Sequence, residues 1–150
     1  MALKRDQEAE RIMALAVSLR VVIGKLSRRL REQSQAGDLT SSQKSALLRL
    51  ERDGAATVSA LARAEGVRPQ SMGATVAVLE QAGLVSGSPD PSDGRQTVIA
   101  LTASCRKLLK DARAAREDWL FRAMQANLAA TELAQLKAGI VVLERLADFK

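Results

Sequence analysis

The chain has 150 residues, is 47% hydrophobic and 27% charged, and carries a formal net charge of +6 at pH 7. That hydrophobic content supports one ordinary domain with a real core and excludes a disordered polymer. With no histidine and one cysteine there is no ligand set for zinc or haem, no intramolecular disulfide, and no side chain of the commonest general acid–base type, so no metal, no cofactor and no enzymatic activity are expected.

The N-terminus, Met1-Ala2-Leu3-Lys4-Arg5-Asp6, lacks the apolar core of a signal peptide, and no apolar run approaches the roughly 18 residues that span a bilayer. A cytoplasmic protein with no membrane partner is expected. From about Asp6 to Ser34, Ile12, Leu15, Leu19, Val22, Leu26 and Leu30 recur at threes and fours, which predicts a long amphipathic helix. About 29 residues at 1.5 Å each make a rod near 44 Å, longer than one small module covers, so part of it must face another helix or chain. Lys25, Arg28, Arg29 and Arg31 near its end form either a solvated face or an added phosphate contact.

A second helix opens at Leu39-Thr40-Ser41-Ser42-Gln43, where Thr40 and Gln43 stand at capping-box spacing and Leu47 and Leu50 face inward; Asp53-Gly54-Ala55-Ala56 ends it as a turn. Thr57 caps a short helix bearing Val58, Leu61 and Ala62 on one face, and Gly66 terminates it. A further helix starts at Pro69, since proline suits the first helical position, leaving Arg68 as its cap or pre-helix residue, and runs to about Gln81. Met72, Val76 and Leu79 share its buried face and turn Gln70, Ala74, Val78 and Gln81 outward, with Ser71 and Thr75 on one flank. After Gly83, strand-like runs Leu84 to Ser88 and Gln96 to Leu101 enclose the turn Pro89-Asp90-Pro91-Ser92-Asp93-Gly94, a hairpin wing. Two last helices carry Leu108, Ala112, Ala115, Trp119 and Ala123, then Leu133, Leu136, Ile140, Leu143 and Leu146, the second expected to be capped by Thr131. The terminal stripes look like dimer arms, the alternative being that they close within a monomeric bundle.

Two short helices joined by a tight turn and followed by a wing predict double-stranded DNA as the partner, with the second helix in the major groove. Arg68, Gln70, Ser71 and Thr75 are the candidates for base edges and phosphates, and the Ala74 methyl for a thymine methyl. Gly73 and Ala74 either let the backbone approach the groove or relieve crowding against a neighbouring helix. The charge is not concentrated on this module: residues 1–36 hold eight basic and four acidic residues, residues 37–102 six and seven, and residues 103–150 nine and six. Phosphate affinity must then come from a few placed groups and helix N-termini. The alternative is a dimeric adaptor that binds another protein with the same face. Asp90 and Asp93 sit in a turn and fix the wing rather than form a catalytic pair.

The chain resembles the multiple-antibiotic-resistance regulator (MarR) family of winged-helix transcription factors. The resemblance is carried by Leu61-Ala62, Arg68-Pro69-Gln70-Ser71-Met72, Leu79-Glu80-Gln81-Ala82-Gly83-Leu84-Val85, the wing string Asp90-Pro91-Ser92-Asp93-Gly94-Arg95, and Leu101-Thr102. It implies a mainly α fold, a winged helix-turn-helix with N- and C-terminal dimerisation helices and a two-stranded wing. Residues 1–150 would form one domain: 1–36 a dimerisation helix, 37–102 the winged helix-turn-helix, 103–150 further dimerisation helices. It also implies a homodimeric repressor on a pseudo-palindromic site, its wing Arg95 reaching the minor groove while Asp93 holds the wing tip. A small-molecule effector between arms and module would release the DNA. The chain departs from the family where Gly94 and Ala74 replace arginines and Cys105 replaces a glycine. Arg106 and Lys107 beside Cys105 would lower its pKa and suit a thiol sensor, whereas a free cysteine is ordinarily a packed small hydrophobe. Peroxide-sensing members place their cysteine near the N-terminal helix, where this chain has none.

Overall fold

In the computed structural model, which describes residues 2–33 and 39–149, local sequence rules set nearly every boundary of the central segment. Helix α2 (Ser41–Asp53) starts at Thr40, whose side chain accepts from the Gln43 N–H while the Gln43 side chain accepts from the Thr40 N–H, a complete capping box. The two-residue strand β1 (Ala56–Thr57) follows, and Thr57 then caps α3 (Val58–Glu65) by accepting from the Ala60 N–H at 3.2 Å. Helix α4 (Pro69–Gln81) begins on its proline, with Arg68 in extended geometry before it. Strands β2 (Val85–Pro89) and β3 (Thr97–Leu101) form the wing, α5 (Ala103–Asn127) leaves it, and α6 (Ala130–Ala147) closes the chain. At the N-terminal end α1 covers Ala2–Glu32, four residues earlier than its apolar stripe suggests. The expected end at Ser34 and the expected junction at 36/37 lie outside the described residues.

Three local expectations differ from the structure. The sheet has three antiparallel strands in the order β1-β3-β2, with Ala56 opposite Ile99 and Thr57 opposite Val98, so the expected two-stranded wing carries a third strand. Two residues are too short to display a period of two, and the preceding Asp53-Gly54 has the composition of a turn. Pro89 extends β2 instead of opening the turn, pairing with Thr97; β2 lies at the sheet edge, where a missing N–H costs no ladder bond. The cap of α6 is Ala129 and not Thr131, because Glu132 reaches back to accept from the Ala129 N–H at 2.8 Å and leaves Thr131 inside the first turn.

The chain divides into two compact units, residues 34–113 and residues 1–33 with 114–150. In the first, Ala46, Leu47 and Leu50 of α2, Leu61 and Ala62 of α3, and Met72, Val76 and Leu79 of α4 pack with Val85, Ile99, Leu101 and Cys105 into one core. Leu47, Leu61 and Leu79 are fully buried, each contributing on the order of 1.5–3 kcal/mol. The start of α5 belongs to this unit: the Arg113 guanidinium donates to both Glu51 carboxylate oxygens at 2.8 and 2.9 Å, which holds that carboxyl below its ordinary range.

The second unit has a different character. None of its described residues is fully buried, and its apolar stripes stand open: Leu15 is 69% exposed, and Ile140 and Leu146 are 45% and 58% exposed. On α5, Ala115, Trp119 and Ala123 form the half-buried stripe that their spacing predicts.

Candidate nucleic-acid interface

The turn between α3 and α4 is built by Gly66, whose φ of 66° is the left-handed geometry that a side chain disfavours. The Val67 N–H returns to the Ala62 carbonyl at 3.0 Å, closing the C-terminus of α3 and aiming the chain at Pro69. Gly83, with φ 68°, repeats the device after α4: the Leu84 N–H donates to the Leu79 carbonyl at 2.9 Å and turns the chain into the wing. Both glycines are legible in the sequence as helix stops.

Longer-range bonds tie α3 to α2 and α4 to the wing. Glu65 at the end of α3 accepts from the Ser45 hydroxyl and the Arg49 guanidinium of α2, and Arg49 also donates to Asp53 at 3.3 Å. Those donors, Ser45 first, hold the Glu65 carboxyl below its ordinary range. On the other side Glu80 turns its carboxylate toward the wing, accepting from the Gly87 N–H at 3.3 Å. Sequence reasoning missed Ser45, Arg49, Glu65 and Glu80, because partners seven to twenty residues apart on different elements leave no local pattern.

The wing tip is closed by its own aspartates. Asp90 accepts from the Ser92 N–H and hydroxyl at 2.8 and 2.7 Å, which keeps its carboxyl low. Asp93 accepts from the Arg95 N–H at 3.1 Å and the Gln96 amide at 3.3 Å, and the Asp90 N–H donates to the Gln96 carbonyl at 2.9 Å. The carboxylates are thus committed to turn geometry, and Arg95 is left exposed.

On α4 the outward positions are as the helical period requires. Arg68, Gln70, Ser71 and Ala74 are exposed, while Met72, Val76 and Leu79 are buried. Thr75 is half-buried and its hydroxyl donates to the Ser71 carbonyl at 3.1 Å. Ser71 and Thr75 line a cleft of about 330 Å³ against Ser41, Ser42 and Ser45 of α2, with Glu65 at its wall. A Cβ on Gly73 would meet nothing within 4 Å, so the crowding explanation for that glycine has no support. Of the cations in residues 39–102, Arg49 and Arg52 face carboxylates, whereas Lys44, Arg63, Arg68 and Arg95 form no ion pair among the described residues.

Of the two readings of Cys105, the structure supports the packed small hydrophobe and not the thiol sensor. It is fully buried in the core, where burial first and Glu51 second push its thiol up, with Arg106 opposing weakly. Lys107 instead pairs with Asp111 at 2.6 Å, and the Arg106 guanidinium donates to the Leu101 carbonyl at 3.3 Å. A sensor thiol must be accessible and readily ionised, and this one is neither. Native protein is expected to react with an aromatic disulfide reagent only as fast as it unfolds, and peroxide is expected to leave any DNA complex intact. Rapid stoichiometric labelling at neutral pH would overturn that reading.

These elements define a winged helix-turn-helix: α3, a tight glycine turn, an outward-facing α4 and a hairpin closed by its own side chains. The MarR family model matches residues 39–97. An HTH-type transcriptional regulator of Mycobacterium tuberculosis, MT0903.1, is 38% identical over 134 residues, covering 89% of this chain and 93% of that one. A crystal structure of a protein from Pseudomonas aeruginosa PA01 is 38% identical with a TM-score of 0.83, covering 93% of this chain and 98% of that one. A point mutant of Staphylococcus aureus MepR, bound to an oligodeoxyribonucleotide, shares the fold at 22% identity and a TM-score of 0.69, covering 89% and 97%. The chain belongs to the MarR family of transcriptional regulators.

Proposed function

We propose that this regulator binds a pseudo-palindromic site in double-stranded DNA as a homodimer, represses from it, and releases it when a small ligand binds. The observation that carries the DNA reading is the outward face of α4. Gln70, Ser71 and Ala74 stand exposed on a helix whose buried face packs into the core and whose Glu80 is bonded to the wing, beside a wing that leaves Arg95 exposed. Preorganised placement of few groups suits base readout, and MepR, of the same fold, is a DNA-bound relative. Arg68, Gln70, Ser71, Ala74 and Thr75 are assigned to the major groove and Arg95 to the minor groove, with Asp93 holding the tip. The exposed apolar residues of α1 and α6 support a second copy of the chain as their cover. On a two-fold dimer the half-sites lie roughly one helical turn, about 10 bp, apart.

The adaptor reading rests on the charge balance of residues 37–102, six basic against seven acidic. One experiment separates the two: fluorescence-anisotropy titration against DNA upstream of the protein's own gene, with a shuffled duplex as control, across a salt series. The Arg95→Ala dimer is expected to bind more weakly on every sequence, with the slope of log K against log salt shallower by about 2, one phosphate-type contact per protomer. An unchanged slope and affinity would remove Arg95 from the interface and favour the adaptor.

A further inference from the structure

The α4 helix carries no lysine or arginine from Pro69 to Gln81. Guanine is read in the major groove chiefly by a bidentate arginine or lysine on its O6 and N7, so this helix lacks the usual guanine reader. What it offers instead is specific. Gln70 is exposed and makes no side-chain hydrogen bond among the described residues, so its amide is available for the N6 and N7 of adenine. One and two turns on, Ala74 is exposed and Val78 is 51% exposed, an apolar side chain on a helix whose opposite face already fills the core. Thr75 donates its hydroxyl proton to the Ser71 carbonyl, which leaves a lone pair and a methyl for any partner. Glu80, the one acidic residue on α4, which would otherwise accept from cytosine N4, is held on the Gly87 N–H of the wing.

From these placements we infer that the reading helix selects A·T pairs: Gln70 takes an adenine, and Ala74, Thr75 and Val78 contact thymine methyls. This inference rests on the DNA reading above and adds the base class to it. Arg68 precedes the helix as its N-cap, so a guanine contact by Arg68 would be separate from the A·T contacts assigned to Gln70, Ala74, Thr75 and Val78. Discrimination by Gln70 amounts to about 5- to 160-fold against a G·C pair at its position. Each contacted thymine methyl adds about 3-fold.

The test is selection of randomised duplexes with the full chain, followed by titration of the winning duplex and its variants. The expected result is a two-fold site whose half-site core is A·T, with thymine→deoxyuracil replacement in that core lowering affinity about 3-fold per contacted methyl. Gln70→Ala should flatten the preference at one position, and Ala74→Arg should move the selected pair beneath it to G·C, a gain that a purely structural role for residue 74 would not produce. Enriched sites with a G·C core, or indifference to thymine methyls together with an unmoved Ala74→Arg selection, would overturn the inference while leaving DNA binding intact. No enrichment by a folded, dimeric protein would overturn the DNA reading itself and this inference with it.

Discussion

Leu61→Ala is expected to destabilise the protein by about 2–5 kcal/mol, because Leu61 is 1% exposed at the centre of the core that joins α2, α3, α4 and the sheet. A deleted isopropyl group there loses its transfer free energy and leaves a cavity that three helices and a sheet cannot all move to fill. Total stabilities of ordinary domains are about 5–15 kcal/mol, so the loss is a large fraction of the whole. Urea unfolding should show a lower midpoint with an unchanged slope. The same variant is expected to lose DNA affinity, since Leu61 and Ala62 share one core with Met72, Val76 and Leu79 of α4. A change within about 0.5 kcal/mol would mean that the core repacks freely and that the position of α4 is set elsewhere.

The second large effect is expected at the terminal helices. Leu136 and Leu143 of α6 are 36% and 39% exposed and lie on one stripe with Leu133, Ile140 and Leu146. Introducing carboxylates at both positions, Leu136→Asp with Leu143→Asp, would place buried unpaired charge in a second copy packed against them, at several kcal/mol per group. Sedimentation is expected to show a monomer, and DNA affinity to fall by orders of magnitude, because each protomer alone holds half of the contacts. The winged-helix unit has its own core, so its unfolding transition should survive. A dimer that persists in this variant would place the pairing surface on α1 instead.

Much of the reading unit is visible in the chain itself because its determinants are local. Thr40 with Gln43, Thr57, Pro69, Gly66 and Gly83 set helix starts and stops within four residues of themselves, and Met72, Val76 and Leu79 mark a buried face through the helical period alone. The wing turn is likewise written in Asp90 and Asp93, whose carboxylates bond to backbone N–H groups two residues on. The candidate base-reading positions follow from the same period, since whatever is not buried on α4 faces out.

Other features were decided only by the tertiary structure. Strand β1 exists because β3 offers an open edge, not because Ala56-Thr57 favours a strand. The fate of Cys105 turned on neighbours distant in sequence. Adjacent Arg106 and Lys107 point to a lowered pKa, yet the core around the thiol and Glu51 of α2 reverse the sign. Glu65 and Glu80 acquire their partners only when the fold brings Ser45, Arg49 and Gly87 against them. Sequence by itself determined the caps, glycine stops and helix faces of the reading unit, and the family, since those depend on interactions along the chain. Burial, ionisation and the fixing of α4 depend on interactions across it, and only packing supplies those.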